Sequence, residues 1–136
     1  MIGDRAGEVS VSSGADHRRV LLVEDDTLIA LLTEENLRAL GFEPVSVDTA
    51  HGALAALADP YELAVIDVGL PDMRGDELTV RARRLAPGMS VIVASGYDEA
   101  EFRLRFRNDA GVAVLGKPYT EADLRGAIVA LGLPLA

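Results

Sequence analysis

Residues 20–26 read VLLVEDD, a continuous apolar run that changes within one step to three acidic residues. Residues 63–67 repeat this pattern as LAVID, with four apolar residues before Asp67. A strand is apolar throughout when helices cover both faces of its sheet, which is typical of parallel sheets. We therefore predict that both segments are buried strands of a parallel sheet and that each ends in carboxylates.

Apolar runs of this kind alternate with segments of helical spacing from Val20 onward. Gly41 and Pro60 follow the first two predicted helices, where such residues commonly end a helix. The alternation predicts five strands and five helices in a doubly wound, parallel α/β sheet. The predicted strands are 20–23, 42–47, 63–66, 89–94 and 112–115. The first predicted helix carries an apolar stripe of Leu28, Ile29, Leu32, Leu37 and Leu40, and the second is capped by Asp48 or Thr49. The third and fourth helices are predicted to span 77–85 and 98–106, and Thr120 with Asp123 begins the fifth.

The length of 136 residues favours one domain with its own core. Gly, Ser and charged residues dominate the first stretch, so residues 1–18 are predicted to form a flexible tail. The folded domain is expected to span 19–132, and 133–136 to form a short C-terminal end.

Composition and charge exclude several classes of protein. No apolar run approaches the roughly 20 residues that a transmembrane helix needs. The formal net charge of −9 opposes direct binding to nucleic acid or to anionic lipid. The chain has no cysteine, which excludes disulfides and fits the reducing cytoplasm.

Polar side chains follow four of the predicted strands. Glu24 and Asp25 follow the first strand, Asp67 the third, Ser95 the fourth and Lys117 the fifth. Ligands of open α/β sheets bind outside the carboxyl ends of the strands, where these side chains meet. Carboxylates suit Mg²⁺, while an ammonium and a hydroxyl suit a phosphoryl group. The pattern predicts phosphoryl transfer with Asp67, which stands alone at its strand end, as the nucleophile.

Four segments, VLLVEDD, VIDVGLPDMRG, VIVASGY and LGKPY, resemble the successive motifs of response-regulator receiver domains in order and spacing. The resemblance covers Arg19 to Leu131 and implies the flavodoxin-like receiver fold with strand order 2-1-3-4-5. It implies a phosphoprotein of two-component signal transduction that forms an aspartyl phosphate and catalyses only its own phosphorylation and dephosphorylation. Its partners would be a sensor histidine kinase, a histidine phosphotransfer protein of a phosphorelay, or both, and its output would use protein contacts.

The resemblance also assigns roles to individual positions. Asp67 would be the phosphoacceptor, Ser95 the switch hydroxyl and Lys117 the contact to the phosphoryl group. Mg²⁺, or alternatively Mn²⁺, would be held by Glu24, Asp25, Asp67 and the backbone carbonyl of Gly69. The peptide bond before Pro118 is usually cis in the family.

The aromatic residue that reports phosphorylation in many receivers is replaced here by Val114. However, the segment Val93-Ala94-Ser95-Gly96-Tyr97 resembles the loop of the FAT GUY receivers, a subgroup of single-domain regulators. That resemblance implies that Tyr97 is the reporting aromatic residue.

Structural and functional alternatives remain open. The acids from Glu24 to Asp26 could cap the first helix, Asp67 could be a turn residue, and Tyr97 could be a packing residue. An aspartate-nucleophile phosphatase would resemble an Asp-x-Asp pattern, whereas this chain has Asp67-Val68-Gly69. A binding module without phosphorylation, or a nucleotide-binding flavodoxin-like protein, are further alternatives. The cognate kinase, output partner and oligomeric state are left open.

Overall fold

The computed structural model describes residues 18–135; residues 1–17, which make up nearly all of the predicted tail, and Ala136 lie outside the described part. Strands and helices alternate strictly along the described residues, as predicted. Their bounds are β1 Arg19–Val23, α1 Thr27–Ala39, β2 Glu43–Val47, α2 Ala50–Ala56, β3 Leu63–Asp67, α3 Gly75–Leu85, β4 Ser90–Ser95, α4 Glu99–Arg105, β5 Val112–Gly116 and α5 Glu121–Ala130.

The strands form one parallel sheet in the order β2-β1-β3-β4-β5, which confirms the predicted order 2-1-3-4-5. Val23 of β1 lies opposite Ile66 of β3, so the next residues, Glu24 and Asp67, are neighbours at the carboxyl edge. Ser95 ends β4 opposite Gly116 of β5. The register therefore places Glu24, Asp67, Ser95 and Lys117 along one edge of the sheet.

The core has two layers because alternate residues of each strand face opposite sides of the sheet. Leu21 and Ile66 belong to the layer that packs against α2, α3 and α4, where Phe102 is buried. Leu22 belongs to the layer that packs against α1 and α5, where Leu124 is buried. Every residue of β3 is buried, which confirms the interpretation of its apolar run.

Polar caps begin several helices and explain where the chain turns. The Asp26 carboxylate accepts hydrogen bonds from the backbone N–H groups of Leu28 and Ile29, at 3.0 and 3.1 Å. Asp26 is thus the cap of α1. Thr49, rather than Asp48, caps α2. The predicted capping box of α5 is present between Thr120 and its third helical residue.

The predicted apolar stripe of α1 is only partly buried. Leu28 and Leu32 are 66% and 53% exposed, whereas Leu37 and Leu40 are buried. The helix starts at the carboxyl edge of the sheet, and Leu32 lines a cleft there instead of packing on the strands. Helical spacing indicates that a helix has one apolar face, but it does not show what covers the first turns of that face. Among residues 18–135, no helix has the length and apolar character needed to cross a bilayer.

Arg83 connects α3 to the loop before β5. Its Nε and Nη2 donate to the two carboxylate oxygens of Asp109 at 2.8 and 2.9 Å. Its Nη1 donates to the carbonyl oxygens of Pro87 and Met89 at 2.9 and 2.7 Å. The guanidinium lowers the pKa of Asp109 below its ordinary value of 3.8. Because the folded-state pKa is lowered, this stabilisation is present above pH 3.8 and is lost as the pH falls through the folded value.

Arg83→Met is expected to lower the free energy of unfolding by about 1–3 kcal/mol at neutral pH, because two carbonyls and one carboxylate lose a charged donor. Urea unfolding measures this loss, and its carboxylate part should shrink as the pH falls below 3.8. Arg81→Met is the control, since Arg81 pairs with exposed Glu77 on the same helix. A loss that does not vary with pH would contradict the contribution of Asp109.

Candidate functional site

Three carboxylates converge at the carboxyl edge of the sheet. Glu24, Asp25 and Asp67 each offer one oxygen, and these atoms all lie within 4.8 Å of one another. Glu24 and Asp67 are buried, and Asp25 is exposed. Hard oxygen donors that leave one side open to water suit Mg²⁺, which usually keeps several waters. The donor set therefore fits the predicted metal.

Lys117 bridges two of these carboxylates. Its Nζ donates to Glu24 Oε1 at 3.1 Å and to Asp67 Oδ1 at 3.0 Å. Burial lowers the pKa of Lys117, but the hydrogen bonds and charges of Asp67 and Glu24 outweigh burial, so the pKa is raised overall. Lys117 is the only lysine in the chain, so no other lysine is available to take its place.

Glu24 lies in a conflicting electrostatic environment. Burial raises the pKa of Glu24, and the negative charge of Asp67 adds to that increase. The backbone N–H of Asp26, which donates to Glu24 Oε2 at 3.1 Å, and the ammonium of Lys117 lower the pKa again, but only in part. A cation among the carboxylates would offset the repulsion that remains.

Gly75 brings the start of α3 against the end of β3. Its N–H donates to the Val68 carbonyl at 2.9 Å, and a Cβ at position 75 would lie 2.1 Å from the Asp67 carbonyl oxygen. Only glycine permits this approach. Reasoning from the sequence missed Gly75, although a glycine at the start of a helix after a turn was a usable signal. A Cβ at Gly69 would lie 3.7 Å from Asp67 Oδ2, so the predicted ligand Gly69 is close to the carboxylate.

Asp72 anchors the loop that carries Gly69 and was also missed. Its carboxylate accepts hydrogen bonds from the backbone N–H groups of Ala50 and His51 at 2.8 and 2.9 Å, and it pairs with His51 Nδ1. These donors lower the pKa of Asp72 to about 2. The loop after β3 is therefore held against the first turn of α2.

Ser95 is connected to the start of α4. Its buried Oγ accepts a hydrogen bond from the backbone N–H of Asp98 at 3.1 Å, which leaves the hydroxyl proton available to another acceptor. The Ser95 carbonyl accepts from the backbone N–H of Lys117 at 2.8 Å, and the Lys117–Pro118 peptide bond is cis. Tyr97, by contrast, is 99% exposed, although it borders the same cleft as Asp67, Ser95 and Lys117.

A cleft of about 800 Å³ opens above these residues. Asp67, Ser95 and Lys117 lie in its lining together with apolar side chains of α1. Tyr119 lines it as well, and its hydroxyl shares a hydrogen bond of 3.0 Å with Thr33 of α1. Burial raises the pKa of Tyr119. The cleft gives a partner access to Asp67 from the side of α1.

Comparison with known families and proteins identifies relatives of the chain. The model of the response regulator receiver domain family matches residues 20–129. The transcriptional regulatory protein PdtaR of Mycobacterium tuberculosis is 31% identical over 128 residues, which cover 90% of this chain and 60% of PdtaR. The response regulator receiver protein CpdR of Brucella abortus is 30% identical over 110 residues, covering 79% of this chain and 90% of CpdR.

Other relatives are much longer than this chain. It matches the response regulator protein FleR of Pseudomonas aeruginosa with 31% identity, over 74% of the chain but only 22% of FleR.

Among solved structures, a CheY-like receiver domain protein from Methanospirillum hungatei is similar with a TM-score of 0.72 and 36% identity. That similarity covers 82% of this chain and 90% of the solved one.

Proposed function

This chain belongs to the response regulator receiver domain family, and on that basis we propose that it accepts a phosphoryl group on Asp67 in the presence of Mg²⁺. The observation that carries the proposal is the position of the Asp67 carboxylate. It lies 3.0 Å from the Lys117 ammonium and within 4.8 Å of an oxygen of Glu24 and of Asp25. One ammonium and two further carboxylates thus surround Asp67, which supports its role as a nucleophile beside a cation and a metal-binding acidic pair.

Glu24, Asp25, Asp67 and the carbonyl of Gly69 would hold Mg²⁺, with Mn²⁺ as an alternative ion. The bound metal would neutralise negative charge on the phosphoryl oxygens. Lys117 contributes a second positive charge 3.0 Å from Asp67 Oδ1, and Ser95 offers its hydroxyl proton. The protein thereby supplies charge stabilisation and positioning, which dominate catalysis of phosphoryl transfer.

The donor would be a phosphohistidine of a sensor histidine kinase or a histidine phosphotransfer protein. An Asp67 carboxylate oxygen forms a bond to phosphorus as the phosphorus–nitrogen bond breaks, and that electron pair returns to the imidazole nitrogen. The product is an aspartyl phosphate and an unphosphorylated histidine. Each transfer modifies one Asp67, so the chain acts as a phosphoacceptor and not as a turnover enzyme.

The output would follow from the hydrogen bond between Ser95 and Asp98. When the Ser95 hydroxyl turns towards the phosphoryl group, the segment Gly96 to Phe106 must adjust because its first turn is bonded to Ser95. The face formed by α4, β5 and α5 would change and bind a downstream protein. Tyr97 lies within this segment, so its full exposure leaves it free to change environment.

The likeness to CpdR, 90% of which the chain covers, supports a role as a single-domain regulator. The loop from Val93 to Tyr97, which resembles the FAT GUY motif, supports the same role. The protein would signal through protein contacts without binding nucleic acid or membrane, which agrees with its net charge of −9.

Acetyl phosphate with Mg²⁺ is expected to add one phosphoryl group to the purified chain, because the site needs only a phosphodonor and a cation. Intact mass measures the adduct. Asp67→Ala and an EDTA-treated sample should show none, whereas Asp59→Ala, which removes an exposed acid outside the site, should behave as the wild type. No adduct in the wild type would favour a binding module. Sustained hydrolysis of a phosphomonoester would favour a phosphatase.

A further inference from the structure

Asp76, the second residue of α3, is a buried carboxylate that the phosphoryl-transfer site does not use. It is 5% exposed, and its Oδ1 accepts a hydrogen bond from Arg74 Nε at 3.0 Å. Its Oδ2 pairs with Nη1 of Arg105, the last residue of α4. A buried acid is costly unless it is paired, and both partners here are permanent cations. Asp76 therefore joins the start of α3 to the end of α4.

Both arginines are also held by aromatic rings near the end of α4. The Arg74 guanidinium lies 5.7 Å from the ring centroid of Phe102, and the Arg105 guanidinium lies 5.4 Å from that of Phe106. Phe102 is fully buried beneath the helix. Cation–π contacts of this kind add to the ion pairs and restrict where the guanidinium groups can lie. Both arginines that pair with Asp76 therefore have a second contact that restricts their position.

The start of α3 is fixed to the phosphoacceptor itself. Gly75 precedes Asp76, lies against the Asp67 carbonyl, and donates its N–H to Val68 at 2.9 Å. A displacement of the Asp67 peptide or the following residue must therefore move Gly75 and Asp76 with it, because close-packed backbone does not compress. The same displacement reaches Arg105 through the Asp76 carboxylate.

Helix α4 is consequently attached to the site at both ends. Ser95 Oγ accepts a hydrogen bond from the backbone N–H of Asp98, which immediately precedes α4, and Asp76 pairs with Arg105, the last residue of α4. We propose that the Asp76–Arg105 ion pair is a second link, independent of the Ser95 hydroxyl, that positions α4 in response to phosphorylation of Asp67. The proposal rests on the function proposed above, and it assigns Asp76 and Arg105 as positioning residues.

Amide hydrogen exchange of α4 tests the proposal in full-length protein with Mg²⁺, before and after treatment with acetyl phosphate. The quantity of interest is the ratio of the two exchange rates for the peptide covering Glu99–Arg105. In Arg105→Gln, the change in exchange rate on phosphorylation is expected to be at least about twofold smaller, so the ratio lies closer to one, while intact mass shows unchanged phosphorylation. Arg105→Lys, which keeps one charged donor, should retain part of the wild-type ratio.

Arg103→Gln is the matched control, since Arg103 lies on the same helix and pairs with Glu99 within it. It should keep the wild-type ratio. Combining Asp76→Asn with Arg105→Gln should have no larger effect on the ratio than Arg105→Gln alone, because each change breaks the same Asp76–Arg105 ion pair. If Asp76→Asn does not fold, the Arg105 series decides the matter.

The proposed link would be overturned if Arg105→Gln kept the wild-type ratio of exchange rates, or if Arg103→Gln changed that ratio equally. It would also be overturned if the effects of Asp76→Asn and Arg105→Gln on the ratio were additive. An α4 exchange rate that phosphorylation leaves unchanged in the wild type would overturn it too. Failure of the proposed function is distinguishable from all of these outcomes, because the wild type would then form no phosphoryl adduct at all.

Discussion

Gly75→Ala is expected to lower the free energy of unfolding by about 3 kcal/mol and to slow phosphorylation of Asp67 about 100-fold. The added Cβ would lie 2.1 Å from the Asp67 carbonyl oxygen and 2.7 Å from Val68 Cα. Both are backbone atoms of the strand end, so no side-chain rotation can relieve the contact. Either α3 or the Asp67 peptide must move, and a misplaced nucleophile loses its alignment with Lys117.

Urea unfolding measures the first effect, and the rate of adduct formation with acetyl phosphate measures the second. Gly126→Ala is a matched control within α5, because a Cβ there meets no atom within 4 Å. That exchange should instead stabilise the protein by about 0.5–1 kcal/mol, since alanine is the better helix former. Wild-type stability and rate in Gly75→Ala would show that the close approach is not needed.

Lys117→Met is expected to lower the free energy of unfolding by about 3 kcal/mol in EDTA, because it leaves buried Glu24 and Asp67 without their shared cation. Methionine retains much of the apolar stem and removes the charge. Saturating Mg²⁺ should recover a large part of the loss. The variant site has one positive charge fewer, so it binds a cation more tightly, and binding to the folded state alone stabilises it.

The measurement is urea unfolding of both proteins, each in EDTA and in Mg²⁺. Arg125→Met is the control, since Arg125 pairs with Glu121 on the exposed face of α5 and should contribute less than about 1 kcal/mol. An equal loss for Lys117→Met in EDTA and in Mg²⁺ would contradict a metal site that shares its carboxylates with Lys117. Phosphorylation should also be slower in the variant, because Lys117 no longer contacts the phosphoryl oxygens.

The fold was largely predictable because each strand carries its own local signal. An apolar run that ends at an acid, a hydroxyl or a lysine indicates a buried parallel strand, and the order of these ends along the chain was enough to bring Glu24, Asp67 and Lys117 to one edge. Their proximity follows from the register of the sheet, with Val23 opposite Ile66. Charge and turn residues near each strand end were visible without coordinates.

Contacts between distant segments were not predictable in this way. Leu28 and Leu32 have the spacing of buried residues, yet both are more than half exposed and Leu32 lines the cleft, since spacing does not show where a neighbouring helix ends. Asp76 and Arg105 are 29 positions apart and each looks like an ordinary surface charge in sequence. Only the packing of α3 beside α4 brings them together and buries the carboxylate.

The sequence by itself determined the alternation of strands and helices, the helix caps and the residue types at the carboxyl edge, because these depend on near neighbours and on a repeating period. The tertiary structure alone decided which glycine admits the backbone of Asp67, which acid is buried between two arginines, and how far Tyr97 extends into solvent. Those features depend on distances across the fold, which are set by the packing of whole elements.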